Sequence, residues 1–112
     1  MTVREIIEKL DLKIQSGGDL LERDVTGGYV SDMLSDVLAH AENGNVWVTL
    51  QTHLNIIPVA SMKEISAIII VNGRHPDEGT LNKAIEEKIP VLGTDMKAFQ
   101  LVGKLFQLGI SG

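Results

Sequence analysis

The chain of 112 residues contains no cysteine. Structural disulfides, thiolate zinc sites and cysteine nucleophiles are therefore excluded, and a reducing cytoplasm is the simplest compartment. Aromatic residues are also scarce: the chain has one Trp, one Tyr and two Phe. Four rings are too few for the stacking platform with which proteins bind single-stranded nucleic acid.

Positive charge is limited as well, because 10 Lys and Arg stand against 15 Asp and Glu, for a net charge of −5. No basic cluster of the kind that follows a phosphate backbone is present. No apolar run is long enough to span a membrane, and residues 1–5 resemble neither a signal peptide nor a transit peptide. The sequence therefore predicts a soluble, cytoplasmic protein that binds neither nucleic acid nor membrane.

The length fits one domain, residues 1–112. Thr2 and Glu5 have the spacing of a capping box at the start of a short amphipathic helix. Residues 12–15 alternate as a brief strand. Residues 24–30 indicate a second strand that runs into the pair Gly27-Gly28, where a bulge or a close backbone approach is expected.

The rest of the chain alternates between helices and strands. Ser31 is predicted as the N-cap of a helix whose apolar stripe runs to Ala41. The elements predicted after it are a strand at 46–50, a buried helix at 55–62, a strand at 66–71, a helix at 77–88, a strand at 90–93 and a last helix. In the helix at 77–88, Leu81, Ala84 and Ile85 are predicted to face inward. The last helix is predicted to be capped by Thr94 or Asp95 and to carry Met96, Phe99, Val102, Leu105 and Phe106. This order predicts a three-layer α/β/α domain with a mostly parallel central sheet of about five strands.

Polar residues follow three of the predicted strands. They are Gln51, Thr52, His53 and Asn55, then Asn72, Gly73 and Arg74, then Thr94. Carboxyl ends of parallel strands meet at one edge of a sheet, where open α/β sheets bind ligands. Helix starts and the charge of Arg74 predict a site there for a small anion. Alternatively, Thr52, Asn55 and Thr94 serve only as caps and turn residues.

Two groups of residues suggest further chemistry. His53 could act as a general base or a metal ligand, but no second His or carboxylate has metal-ligand spacing with it, which favours a hydrogen-bonded His. Asp32 and Asp36, beside Ser31 and Ser35, could bind Mg²⁺ or act as an acid/base pair. Acids in a first helical turn also complement the helix dipole without any ligand. Neither a GxGxxG motif, a phosphate loop nor a G-x-S-x-G elbow occurs. We predict no catalytic residue, no metal and no required cofactor.

From about Asp19 to Leu108 the chain resembles the DRTGG domain family. The shared framework comprises the helix start Ser31-Asp32-Met33-Leu34, the Ile-rich strand into Gly73 and Pro76, and the strand Ile89-Pro90-Val91-Leu92 before a helix containing Phe99. Thr52-His53 stands where Asp-Arg is usual, and Val71-Asn72-Gly73 where Thr-Gly-Gly is usual. The ligand site is therefore expected to differ from that of relatives.

The resemblance implies a fold like the amino-terminal domain of HPr kinase/phosphorylase, association with regulatory partners such as CBS domains, and frequent dimers. We therefore predict a non-enzymatic, homodimeric regulatory domain that binds a small anionic metabolite or nucleotide and modulates a partner protein. A dimer surface or secondary site is predicted at Gly28, Ser31, Asp32 and Ser35. The alternatives are a ligand-free scaffold or dimerisation module for a redox or kinase complex, and a small enzyme with His53 as general base.

Overall fold

The computed structural model describes every residue from Met1 to Gly112 and contains one sheet of five strands. The strands are β1 (Lys13–Ser16), β2 (Gly27–Val30), β3 (Asn45–Thr49), β4 (Ala67–Ile70) and β5 (Val91–Gly93), and the helices are α1 (Val3–Leu10), α2 (Leu34–His40), α3 (Ile56–Met62), α4 (Glu78–Glu87) and α5 (Ala98–Gln107). The predicted α/β class and strand number are confirmed. All five helices are too short or too polar to cross a lipid bilayer.

The strands lie in the order β1-β5-β4-β3-β2. β2 to β5 are parallel, and β1 runs antiparallel to β5, with Lys13 opposite Gly93. Each crossover from β2 to β5 steps to the adjacent strand in the same direction, so right-handed connections place α2, α3 and α4 on one face. α1 and α5 cover the other face.

The sheet separates two hydrophobic cores. Along β4, Ile68 and Ile70 pack with residues of α2, α3 and α4, whereas Ala67 and Ile69 pack with residues of α1 and α5. All four residues of β4 are buried, as expected for a β-branched strand in the middle of a parallel sheet. Helices therefore cover both faces of the sheet, so a ligand site is expected at its polar edges.

The amino-terminal elements follow the prediction with one change. The capping box of α1 is confirmed, since Thr2 Oγ1 accepts the Glu5 N–H and the Glu5 carboxylate accepts the Thr2 N–H. β2 is shorter than predicted, because Asp24 forms only an isolated bridge with Thr2 and the strand begins at Gly27. The expected close approach is confirmed: a Cβ at Gly27 would lie 2.6 Å from the Ser111 carbonyl oxygen.

The prediction that Ser31 caps α2 is wrong. The helix begins at Leu34, its N-cap is Met33, and no side chain caps it. Ser31 Oγ instead accepts the Met33 N–H, while Trp47 Nε1 donates to the Ser31 carbonyl oxygen over 2.8 Å. These bonds hold residues 31–33 against the sheet, so Asp32 lies outside the helix and does not share a helical turn with Asp36.

The ends and faces of α4 and α5 also differ from the prediction. The N-cap of α5 is Lys97, so neither Thr94 nor Asp95 caps it. In α4, Ala84 is buried, but Ile85 is 65% exposed rather than facing inward. In α5 the residues buried against the sheet are Leu101 and Leu105, whereas Phe99, Val102 and Phe106 are exposed.

Candidate functional site

The segments that follow the four parallel strands lie along one edge of the sheet. We call this edge the carboxyl rim; it comprises residues 31–33, 50–55, 71–75 and 94–96, after β2, β3, β4 and β5 respectively. All eight residues predicted to bind a ligand lie on it, as do Ser31 and Asp32 of the predicted secondary site. Ser35 lies in α2, and Gly28 lies within β2.

Asp32 joins the first two segments of the carboxyl rim. Its Oδ1 accepts hydrogen bonds from the Thr49 hydroxyl and the Leu50 N–H, each at 2.8 Å. Gln51 Nε2 donates to the Asp32 carbonyl oxygen over 2.9 Å. The Thr49 side chain is buried, and the Asp32 carboxylate is the acceptor for its hydroxyl. Asp32 therefore has a structural role, which explains an acid at this position without a metal.

The segment after β3 is fixed to the start of α4. The Thr52 carbonyl oxygen accepts the Asp77 N–H at 3.1 Å and the hydroxyl of buried Thr80 at 2.7 Å. Arg74 donates from a guanidinium nitrogen to the Leu50 carbonyl oxygen over 2.9 Å. Arg74 is otherwise exposed, so its charge faces solvent at the rim.

Asn72 and Gly73 form a tight turn after β4. Both have left-handed backbone conformations, with φ of 62° and 66°, and Arg74 N–H closes the turn onto the Val71 carbonyl oxygen. This is the pattern of a type I′ turn, in which Asn-Gly is favoured. Their N–H groups donate to the carbonyl oxygens of Met96 and Thr94, each at 2.9 Å. Those N–H groups are thus occupied and do not point at a ligand.

His53 and Asn55 are exposed at the end of the β3 segment. His53 Nδ1 accepts the Asn55 N–H over 3.4 Å, and no carboxylate bonds to its ring. Nothing therefore orients His53 as a general base. No three His, Asp or Glu side chains come together in an arrangement that could hold a metal ion.

A cavity of about 360 Å³ opens at the end of β5. Its lining residues are Lys9, Leu10, Asp11, Lys13, Thr94, Asp95, Met96 and Lys104. The segment after β4 leads to α4 on one face of the sheet, and the segment after β5 leads to α5 on the other. Adjacent strand ends whose connections separate in this way leave the crevice in which α/β sheets bind ligands. The cavity lies beside that crevice, on the side of α1, β1 and α5, because none of its lining residues belongs to the segment after β4. We call this cavity the β5 cavity.

Three lysines from three separate elements converge on the β5 cavity. Lys9 lies in the last turn of α1, Lys13 begins β1, and Lys104 lies in α5. Lys13 Nζ lies 3.9 Å from Asp95 Oδ2. The sequence predicted Thr94 but none of these lysines. Lys13 reaches this place only because β1 pairs antiparallel with β5, which brings the start of β1 to the carboxyl rim.

A second cavity, of about 520 Å³, lies at the opposite, amino edge of the sheet. Its lining includes Asp24, Glu64 and Glu87 but a single cation, Arg23. Arg23 is already bonded to the Lys88 carbonyl oxygen. This cavity would repel an anion, so its larger volume does not make it the better candidate.

Asp36, next to the predicted secondary site, is held by neighbouring side chains. The Tyr29 hydroxyl donates to its carboxylate over 2.8 Å, and His40 Nδ1 lies 3.1 Å from the same group. The bond from Tyr29, aided by others from Ser31 and His40, lowers the pKa of Asp36, and it raises the pKa of Tyr29. The side chain of Asp36 therefore completes a local network and needs no metal.

No protein-family model matches the sequence, and no curated protein resembles it. The fold is similar to a crystal structure of the CBS and DRTGG domains of the regulatory region of Clostridium perfringens pyrophosphatase, complexed with the activator diadenosine tetraphosphate. The TM-score is 0.67 and the sequence identity 14%, over 91% of this chain and 44% of that one. The chain thus spans less than half of that structure. The likeness confirms the DRTGG resemblance at the level of the fold.

Proposed function

We propose that this chain is a non-enzymatic regulatory domain that binds a small anionic metabolite or nucleotide at the carboxyl rim. The observation that carries the proposal is the convergence of Lys9, Lys13 and Lys104 on one cavity, although the whole chain has a net charge of −5. A cleft whose lining has an excess of positive charge concentrates anions. The solved structure with a similar fold is a regulatory region that was crystallised with a nucleotide activator, which agrees with this role.

The β5 cavity sets the chemistry of the proposed ligand. Three lysines against Asp11 and Asp95 give its lining a small positive excess, and Lys13 lies near Asp95. A ligand with two or more negative charges competes best with Asp95 for Lys13. The lining has no aromatic ring, so it suits a phosphate group better than a nucleobase. A volume of about 360 Å³ fits a small phosphometabolite or part of a nucleotide.

The rest of the carboxyl rim is proposed as the outer part of this ligand surface. Besides Thr94, it comprises the side chains of Gln51, Thr52, His53, Asn55, Asn72 and Arg74, together with Gly73, whose N–H is used within the fold. The hydrogen bonds from the Asn72 N–H to the Met96 carbonyl oxygen and from the Gly73 N–H to the Thr94 carbonyl oxygen couple this outer part to the β5 cavity. Binding would therefore alter the segments after both β4 and β5, and we propose that a partner protein senses this change.

We further propose that the protein acts in the cytoplasm as a homodimer. The absence of cysteine fits a reducing compartment. A ligand-free scaffold for a redox or kinase complex is the second candidate, and the exposed apolar residues of α5 favour it. An enzyme that uses His53 gains no support from the geometry, because no side chain orients that ring.

Thermal unfolding in the presence of inorganic phosphate, acyl phosphates, mononucleotides and diadenosine tetraphosphate tests the ligand. At a concentration of about 100 times Kd, a ligand of the native state adds roughly 2.7 kcal/mol, which raises Tm by several degrees. Lys13→Met and Lys104→Met should abolish the shift. Lys83→Met, on the opposite face of the sheet, removes the same charge and should preserve it.

The variants also locate the ligand on the rim. Arg74→Ala and His53→Ala weaken binding if the ligand extends over the outer part, and leave it unchanged if the ligand lies wholly in the β5 cavity. The binding proposal fails if no anion stabilises the wild type at saturating concentration. It fails equally if Lys83→Met reduces the shift as much as Lys13→Met does.

A further inference from the structure

Thr94 differs from the other buried hydroxyl residues of the protein. Each of the others donates its proton to an oxygen within the fold. The Thr94 hydroxyl only accepts, from the Met96 N–H over 3.1 Å. A hydroxyl carries one donor besides its acceptor lone pairs, so the proton of Thr94 has no partner. The pairs that the other buried hydroxyls form are Ser16 with the Ile89 carbonyl oxygen, Thr49 with the Asp32 carboxylate, Ser66 with the Asp24 carbonyl oxygen and Thr80 with the Thr52 carbonyl oxygen.

The unpaired proton of Thr94 belongs to the β5 cavity. Thr94 lines that cavity and is only 8% exposed. Buried donors are nearly always paired, and leaving one unpaired costs free energy. The bond from Met96 holds the Thr94 oxygen in place, so its proton is available to an acceptor inside the cavity. Thr94 thus adds a neutral donor to the ammonium groups of Lys9, Lys13 and Lys104.

Two carboxylates give the same lining a second character. Asp11 and Asp95 both border the cavity, and a carboxylate accepts hydrogen bonds but donates none. Lys13 Nζ lies 3.9 Å from Asp95 Oδ2, beyond hydrogen-bond distance. No donor of the protein bonds to the Asp11 carboxylate. The cavity therefore holds unused acceptors beside unused donors.

An ionised phosphate group satisfies only part of this lining. Its oxygens accept hydrogen bonds from the lysines and from Thr94, but they are repelled by Asp11 and Asp95. A hydroxyl group, in contrast, donates to a carboxylate in a short, charge-assisted hydrogen bond. A ligand that carries both a phosphate group and hydroxyl groups pairs with all of these side chains. The two carboxylates then favour the ligand instead of opposing it.

The size and polarity of the cavity agree with such a ligand. Its volume of about 360 Å³ is that of on the order of ten water molecules, so the cavity has room for more than a phosphate group. Leu10 and Met96 are the only apolar residues of the lining, and every other lining residue carries a charge or a hydroxyl. No aromatic ring is present to stack on a base. A polar, hydroxylated body therefore fits beside the phosphate better than an apolar or aromatic one.

We infer that the ligand of the β5 cavity is a phosphorylated sugar or polyol. Its phosphate group binds the three lysines and the Thr94 hydroxyl, and its hydroxyl groups donate to Asp11 and Asp95. This inference rests on the proposed function and narrows the anion to one chemical class. It also makes Asp11 and Asp95 binding residues. The phosphorylated ribose of a nucleotide has the same chemistry as a free sugar phosphate.

Two small phosphates test the class in the absence of a base. Glycerol 3-phosphate and propyl phosphate have the same charge and the same carbon chain, and they differ only in the hydroxyl groups of the glycerol. Isothermal titration calorimetry of the wild type should give a Kd at least about tenfold lower for glycerol 3-phosphate. Equal Kd values, or tighter binding of propyl phosphate, would overturn the inference.

Removing the carboxylates should affect the two ligands differently. Asp95→Ala removes both an acceptor for hydroxyl groups and a source of repulsion, so it should bind propyl phosphate more tightly than the wild type does and lose part of the preference for glycerol 3-phosphate. Asp11→Gly should act in the same way, and glycine suits the left-handed backbone at this position, where φ is 53°. In the double variant the two Kd values should be nearly equal. A preference that survives in the double variant would contradict the role of the carboxylates.

Asp19→Ala is the matched control for the carboxylate variants. It removes the same charge from an exposed position outside the cavity. The ratio of the two Kd values should therefore equal that of the wild type. If Asp19→Ala abolished the preference as Asp95→Ala does, a general effect of charge would replace the assigned contacts.

Thr94→Val should weaken both ligands alike. The variant loses a donor to the phosphate group that the ligands share, so both Kd values should rise by about tenfold and their ratio should not change. Thr94→Ser keeps the hydroxyl and should bind as the wild type does. Because Thr94→Val also removes the acceptor of the Met96 N–H, its folding is checked by Tm. Wild-type affinity in folded Thr94→Val would overturn the contact with Thr94.

Ribose 5-phosphate and AMP distinguish the two sources of a phosphorylated sugar. Equal affinities identify a free sugar phosphate, and tighter binding of AMP identifies a nucleotide. Either result supports the inference if ribose 5-phosphate also binds more tightly than propyl phosphate.

The titrations separate this inference from the proposed function. If no anion binds the wild type, both are overturned. If inorganic phosphate and propyl phosphate bind as tightly as glycerol 3-phosphate, and Lys13→Met abolishes that binding, the anion site stands and the inferred sugar or polyol phosphate is wrong.

Discussion

Gly73 and Asp95 meet where the segments after β4 and β5 join: a Cβ at position 73 would lie 2.9 Å from Asp95 Oδ1. Asp95 is exposed and its side chain can rotate away, so the left-handed backbone of Gly73, with φ of 66°, is the stricter requirement. Gly73→Ala should lower the free energy of unfolding by about 1–2 kcal/mol. Gly73→Asn adds the same Cβ but tolerates this conformation, so it should cost less. If urea denaturation shows that both variants lose the same free energy of unfolding, the contact with Asp95 is the cause instead.

Asp32 should matter for stability rather than for metal binding. Asp32→Ala removes the acceptor of the Thr49 hydroxyl and of the Leu50 N–H, at a cost of about 2 kcal/mol. Asp32→Asn keeps an oxygen in the same place and should cost less than half as much. Ser35→Ala, at an exposed helix position, should change stability by no more than about 0.5 kcal/mol. An asparagine variant as unstable as the alanine variant would contradict this account.

The bond between Tyr29 and Asp36 should make stability depend on pH. Because the Tyr29 hydroxyl lowers the pKa of Asp36 in the folded state, its contribution is complete above the ordinary value of 3.8 and is lost as pH falls through the lowered pKa. The pKa of Tyr29 is raised above 10.0, so that contribution is lost again as pH rises through the raised value. Urea denaturation of wild type and Tyr29→Phe should therefore differ at neutral pH and converge in acid. A difference independent of pH between 2 and 7, roughly, would contradict the assignment.

The two glycines of β2 should respond differently to substitution. A Cβ at Gly27 would lie 2.6 Å from the Ser111 backbone oxygen, whereas the nearest atom at Gly28 is 3.5 Å away. Gly27→Ala should displace the carboxyl-terminal segment, cost about 1–2 kcal/mol, and speed amide exchange at Gly28, whose N–H loses its acceptor. Gly28→Ala should be tolerated. Unchanged exchange at Gly28 in the first variant would show that the contact is not required.

The predicted fold was close to the structure wherever local pattern and tertiary packing agree. The run of β-branched residues in β4 is buried on both faces, and the Thr2–Glu5 capping box forms as its spacing requires. Helix starts were less accurate, because long-range bonds compete with caps: Trp47 and Thr49 fix Ser31 and Asp32, and the start of α2 moves to Leu34. Such bonds join residues that are distant in sequence, so they cannot be predicted from the spacing of neighbouring residues.

The candidate site was predictable only in part. Strand alternation placed eight residues on the carboxyl rim. The sequence could not show that the N–H groups of Asn72 and Gly73 would donate to backbone carbonyl oxygens of the segment after β5. It also could not show that Lys13 would line the same cavity as Thr94. The latter depends on the direction and partner of β1, which follow from the packing of α1 rather than from the four residues of the strand.

The strand order also bears on how the protein folds. Each of β2, β3 and β4 pairs with the next strand along the chain, whereas β1 pairs with β5 across almost the whole sequence. Closing that long loop carries an entropic cost that the neighbouring pairs avoid. We therefore expect β2 to β5 to assemble first and β1 to dock late, so Leu12→Ala should accelerate unfolding while hardly slowing refolding, and Ile69→Val should slow refolding. The β5 cavity, which needs Lys13, would then be the last part of the carboxyl rim to form and the first to be lost.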